Sequence, residues 1–259
     1  MTSPPFPLEI LYRDDLLVAV NKPAGLLVHR SDLDRHETRF ALQIVRDMMG
    51  RHVYPVHRLD RPTSGVLLFA LSPEAARDVA AAFEARRVEK RYLALVRGVI
   101  GEAGCVDHPL AEEPDRRLPG PVGPAEPQEA VTGYRRLAET EIAVAVGRHA
   151  SARYSLAELC PHTGRRHQLR RHMKHLSHPI IGDTTYGDGC HNRLFRDDLG
   201  CRRLLLHAAE LAFPHPESGA TVVVTAPLDP AFGGVVRRFG WHDAVPSPGL
   251  CPPPPQGRG

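Results

Sequence analysis

Cysteine, aromatic residues and long apolar runs are all scarce in this chain of 259 residues. Its five cysteines, at 105, 160, 190, 201 and 251, include no CxxC pair. The odd count suits free thiols in a reducing compartment and argues against a disulfide framework or a zinc ribbon. No run of about 18 apolar residues exists, which excludes a membrane-spanning helix. The first seven residues lack a basic region followed by an apolar stretch, so no signal peptide is expected and the chain is read as cytoplasmic. Aromatics are only 6% of the residues, so the core must rest mainly on Leu, Val and Ala. Nor is there a large excess of one charge: the net value is +3. That total does not point to nucleic acid, and the placement of the charge matters more.

Hydrophobic residues make up 42% of the chain, enough for one large domain or two modest ones. Residues 8–12 and 16–20 read as short strands around a turn, and residues 22–25 as a loop broken by Pro23 and Gly25. Residues 40–49 have helical spacing, with Phe40, Ile44, Val45 and Met48 on one face. Residues 66–71 form an apolar run suited to a buried strand. Ser72, Pro73 and Glu74 then start a helix to about residue 86, with Ala76, Val79, Ala80 and Phe83 inward. Further strands are expected at 91–96, 131–137, 142–146, 153–159, 204–212 and 221–225, and helices at 164–175 and 229–239. Residues 113–127 read as a long surface loop, and 242–259 as a Pro-rich disordered tail. Strands and helices do not alternate regularly, which favours α+β over a doubly wound sheet.

Three stretches carry possible chemistry. In His57-Arg58-Leu59-Asp60-Arg61-Pro62-Thr63-Ser64-Gly65, a carboxylate stands between two arginines, before a turn and a buried strand. Flanking cations favour the ionised form, which suits a nucleophile better than a general acid. An isolated Asp in such a place is as readily explained as a turn anchor. Between Pro161 and His178 there are four arginines, one lysine and no acid, so a basic helix could meet phosphates or simply face water. His172, His175 and His178 recur every third residue, whereas a helical metal pair spaces its ligands four apart, so no metal is expected. Tyr92, beside Lys90 and Arg91, could stack on an extruded base or be ordinary core.

Taken together and in order, these segments resemble the RluA-type family of pseudouridine synthases. The 57–65 stretch is similar to the family's catalytic motif, and Lys22-Pro23-Ala24-Gly25 to its N-terminal motif. Lys90-Arg91-Tyr92 resembles the segment bearing its active-site tyrosine. Thr163-Gly164-Arg165-Arg166-His167-Gln168-Leu169-Arg170 resembles its late motif, with Arg166 where Thr is common and Leu169 where Ile is common. His178-Pro179-Ile180-Ile181-Gly182-Asp183 and Leu206-His207-Ala208 fit the downstream pattern.

The resemblance implies an α+β fold with a mixed, mostly antiparallel sheet, a central cleft and flanking helices, spanning residues 1–241. It implies catalytic roles for Asp60, for Tyr92 stacked on the base, and for Arg170 paired with Asp60. Arg58 would fill the space left by the flipped nucleotide. RNA contacts would come from Lys22, His57, Arg58, Arg61, Lys90, Arg165, Arg166 and His167. No cofactor is implied, and a monomer is expected. The likeness at 8–35, Pro62, 166–172 and Phe239-Gly240-Trp241 is greatest to a tRNA-specific member that modifies uridine 65. Ribosomal RNA as substrate, a catalytically silent RNA-binding protein and a metal-dependent hydrolase remain open alternatives.

Overall fold

The computed structural model describes residues 7–30, 37–112, 126–246 and Gly249. In chain order the elements are β1 (Glu9–Arg13), β2 (Leu17–Lys22), α1 (Ala41–Met49), β3 (Tyr54–Pro55), β4 (Ser64–Ala70), α2 (Pro73–Glu84), β5 (Glu89–Arg97), β6 (Ala103–Asp107), β7 (Val131–Ile142), β8 (Ala152–Pro161), α3 (Gln168–His175), α4 (Gly189–Asp197), β9 (Leu206–Pro214), β10 (Thr221–Thr225) and α5 (Pro230–Arg238). The chain divides into two compact units, with boundaries at Glu89/Lys90, His207/Ala208 and Pro227/Leu228.

In the first unit, Asp14 closes the β1–β2 hairpin by accepting the amides of Leu16 and Leu17 on Oδ1, at 2.8 and 2.7 Å. The strand order is β1-β2-β4-β9, with β10 beside β9 and β3 beside β4. The β1–β2, β2–β4, β3–β4 and β9–β10 pairs are antiparallel. All seven residues of β4 are buried, as a strand covered on both faces requires. Helix α2 is capped by Ser72, whose side chain accepts the Ala75 amide, and packs Ala75, Val79 and Ala82 onto the sheet. Of the expected inward residues Val79 is buried, and Ala76 and Phe83 pack half-buried against the same cluster, while Ala80 is half-buried and Ala75 and Ala82 take the fully buried places beside Val79.

In the second unit the order is β5-β8-β7-β6, with β5–β8, β7–β8 and β6–β7 antiparallel. Ala94 and Val96 of β5 and Ala157 and Leu159 of β8 pack with Leu169 and Met173 of α3, and with Ile180, Leu204 and Leu206. Three expectations are corrected here. Residues 142–146 are not a strand of their own: β7 runs unbroken to Ile142 and the chain then bends. Helix α3 begins at Gln168, because His167 adopts a left-handed backbone (φ 55°) that no α-helix can include. Helix α4 was not anticipated at all; Asp188 starts it by accepting the amides of Cys190 and His191.

The fold is α+β, with a mostly antiparallel sheet and flanking helices, as expected. Residues 242–244 form a 3-10 turn, so regular structure reaches into the segment expected as tail. Residues 113–125 of the expected loop, and 247–259 of the tail apart from Gly249, lie outside the described residues. Cys105, Cys190 and Cys201 are free thiols, but Cys160 is disulfide-bonded, which corrects the expectation of thiols throughout. Among the described residues no helix is long and apolar enough to cross a membrane.

Candidate active site

Asp60 lies half-buried on a tight turn that leads into β4. The Thr63 amide closes this turn by donating to the Asp60 carbonyl at 3.0 Å. Leu59 anchors the loop in the core. On its other side, His57 Nε2 accepts the Leu68 amide at 3.0 Å, and the ring stacks on Phe83 at 5.3 Å. Gly65 is the residue that lets β4 start here. Its φ is 111°, and a Cβ would lie 2.1 Å from the carbonyl oxygen of Ala208.

A second loop braces the turn. Lys22 is fully buried, and its ammonium donates to the carbonyls of Pro23 (3.0 Å), Leu26 (2.8 Å) and Arg61 (3.2 Å). The Gly25 amide also donates to the Arg61 carbonyl at 2.8 Å, and Arg61 Nε returns a bond to the Gly25 carbonyl at 3.1 Å. Arg61 completes the arrangement with an ion pair to Glu37. An ammonium has three donors, and three carbonyls use them, which is how a buried lysine escapes an unpaid desolvation cost. Lys22 and Arg61 thus tie loop to turn, Lys22 from a buried position and Arg61 with its side chain still exposed. Arg58 differs: its guanidinium is exposed and makes no hydrogen bond or ion pair among the described residues.

In the second unit, Tyr92 stands half-buried near the start of β5, opposite Leu159 and against the α3 core cluster. Lys90 donates to the Thr163 carbonyl at 3.2 Å. Burial pushes its ammonium down to about 8. The turn before α3 is built on Gln168. Its Oε1 accepts Thr163 Oγ1 (2.7 Å) and the Arg165 amide (2.9 Å), while its Nε2 donates to the Val131 carbonyl and to Thr132 Oγ1, both at 3.0 Å. The Arg165 amide is therefore used internally, while Arg165 and Arg166 keep exposed side chains. Arg165 Nε donates to the Glu129 carbonyl at 2.9 Å. His167 Nδ1 meets the Tyr186 hydroxyl at 3.0 Å.

Arg170 is buried in the first turn of α3 and forks onto Asp183, Nε to Oδ2 at 2.7 Å and Nη2 to Oδ1 at 2.9 Å. Burial alone would raise the Asp183 carboxyl. The Arg170 hydrogen bonds and charge, with the amides of Tyr186 and Thr185, outweigh it and hold the group below its ordinary value. Asp183 is the residue that sequence reasoning passed over. Gly182-Asp183 was visible as part of a pattern, but nothing local says that this acid meets an arginine 13 positions earlier.

The histidines of the basic stretch are spoken for separately. His172 is buried between Thr132 Oγ1 (2.9 Å) and the His108 carbonyl (3.1 Å), His175 stacks on His108, and His178 Nδ1 pairs with the Arg97 carbonyl. Among the described residues no three His, Cys, Asp or Glu side chains converge in a way that could hold a metal ion.

Residues 16–175 match the family described as RNA pseudouridylate synthase. A tRNA pseudouridine synthase C of Vibrio cholerae serotype O1 is 54% identical over 239 residues, 92% of this chain and 98% of that protein. The tRNA pseudouridine synthase C of Haemophilus ducreyi is 54% identical over 235 residues, 91% of this chain and 97% of that one. Among solved structures, human RNA pseudouridylate synthase domain containing 4 has a TM-score of 0.67 at 28% identity, covering 90% of this chain and 93% of its own. The matched stretch contains the Asp60 turn, Tyr92 and Arg170, and the chain belongs to the RNA pseudouridylate synthase family.

Proposed function

We propose that this protein isomerises uridine to pseudouridine in tRNA, with uridine 65 as its target. The observation that carries the reading is 54% identity along 92% of the chain to a protein named tRNA pseudouridine synthase C. The reaction breaks the C1′–N1 bond, turns the base and joins C1′ to C5. It transfers no electrons and releases no external group, so it calls for neither a redox cofactor nor a metal.

Asp60 acts as nucleophile or base from its braced turn. Arg170 serves as the catalytic arginine of the late motif. Tyr92 stacks on the extruded base and assists proton removal from C5. Arg58, exposed and uncommitted to the described residues, fills the space the nucleotide vacates and offsets part of the few kcal/mol that extrusion costs. Arg165 and Arg166 meet phosphates with their exposed side chains. Residues 1–241 act as one catalytic domain, in a cytoplasmic monomer.

The test is tritium release from [5-³H]uridine-labelled tRNA by wild type and Asp60→Asn. Release by wild type and none by the variant, with tRNA affinity kept, is the expected result. Equal release by both would remove Asp60 from the mechanism. Release from ribosomal RNA alone would move the substrate.

A further inference from the structure

The second unit carries a pair of histidines that the isomerisation does not use. His108 and His175 lie nearly parallel, with ring centroids 3.9 Å apart and planes 16° from each other. Aromatic pairs more often stand about 4.5–7 Å apart, so this pair is close and flat. It is held so by the segment that carries His108. The His108 amide donates to the Ala130 carbonyl at 3.1 Å, and Leu110 and Gln128 exchange two backbone bonds at 2.9 and 3.1 Å. Helix α3 grips the same segment twice. His172 donates from Nε2 to the His108 carbonyl at 3.1 Å, and Arg171 Nη1 donates to the Ala111 carbonyl at 2.8 Å. Burial holds the His172 imidazole below its ordinary value, so that tie is made by the neutral ring.

His108 is half-buried, whereas His175 is exposed at the last turn of α3. One face of its ring is covered by His108, so the other meets solvent. Arg170 lies five positions earlier on the same helix, about 7.5 Å back along the axis and about 140° around it. The histidine pair is therefore apart from the buried side of α3 that holds Arg170. Lys174 stands exposed beside the pair, and Arg165 and Arg166 are exposed at the other end of the helix. No acid occurs from 161 to 178, although Asp107 and Glu112 are exposed on the segment that carries His108. Cations without interspersed acids suit a polyanion, and a flat ring presented to solvent suits a nucleobase outside its helix. On the reading above of RNA as substrate, we infer that the His175 face is a second recognition point for it. An unpaired base of the RNA stacks on that face while Lys174 meets the neighbouring phosphate, and His108 is the backing that keeps the ring in place.

The test is fluorescence anisotropy of a labelled tRNA transcript titrated with the full chain. His175→Leu keeps a good helix former and removes the aromatic face. Its Kd should rise about five- to tenfold, the lower end for loss of one stacked base, because the ring is exposed. His175→Phe restores a ring and should bind within about twofold of wild type. On a fully paired RNA duplex, whose bases stay within their own stack, His175→Leu should bind as wild type does. Lys174→Gln should instead reduce the slope of log affinity against log salt by about 1. A folded His175→Leu with wild-type Kd for tRNA overturns the inference. So does His175→Phe binding as weakly as His175→Leu, or an equal loss on tRNA and duplex. Where His175→Leu does not fold, His175→Ala is read in its place by the same outcomes. Tritium release from tRNA by wild type, with unaltered binding in His175→Leu, fails this inference alone. No release from tRNA by wild type fails the reading beneath it and the inference together.

Discussion

Lys22 offers a sharp test of where a conspicuous cation is used, since sequence reading sends it to RNA and the fold sends it inward. In Lys22→Met the aliphatic stem is largely replaced, but the carbonyls of Pro23, Leu26 and Arg61 lose their shared donor. Each buried acceptor left unsatisfied costs about 1–3 kcal/mol. The ammonium's own desolvation cost disappears with it, which places the expectation at the lower end, about 3 kcal/mol. For a chain of this size that lowers the melting temperature by roughly 6–12 °C. Turnover should fall too, because the Asp60 turn loses its brace. Affinity for tRNA provides the discriminating measurement. A lysine that neutralised a phosphate would, on removal, reduce the slope of log affinity against log salt by about 1. The buried brace predicts an unchanged slope. Wild-type melting together with a slope reduced by about 1 would refute the reasoning.

Gly65→Ala places a Cβ 2.1 Å from the Ala208 carbonyl oxygen, between two strand backbones that cannot move independently. Denaturant unfolding should show a loss of at least about 2 kcal/mol, and a neutral result would mean that β4 and β9 can separate cheaply. Lys90 should give a pH signature. Its folded value of about 8 lies below the ordinary 10.5, so the fold disfavours the charged form. That penalty is full below pH 8 and is relieved as the pH rises from about 8 to 10.5. Lys90→Met should therefore melt above wild type at pH 7, with the gap closing through that window; a gap independent of pH would refute the assignment.

Much was legible along the chain because it depends on neighbours in sequence. The apolar run at 66–71 reads as a buried strand, and β4 is buried throughout. Ser72 and Pro73 mark the start of α2, and the expected strand at 221–225 coincides with β10. The errors fall where distant segments decide. On α2 Val79 is buried as expected, but the deepest places beside it go to Ala75 and Ala82, because the sheet beneath the helix chooses which residues it receives. The start of α3 moves to Gln168 because that side chain binds Thr163, Val131 and Thr132, which pulls the preceding turn out of helical form.

The sequence by itself determined the family, the identity of the candidate acid, tyrosine and arginine, and the turn that carries Asp60. Only the tertiary structure decided which cations are tools of the site and which are its fastenings. Lys22 reaches a carbonyl 39 positions away, and Arg170 reaches a carboxylate 13 positions away. The physical reason is desolvation: a charge taken from water must find partners wherever the fold brings them, and that choice is not written in the residues beside it.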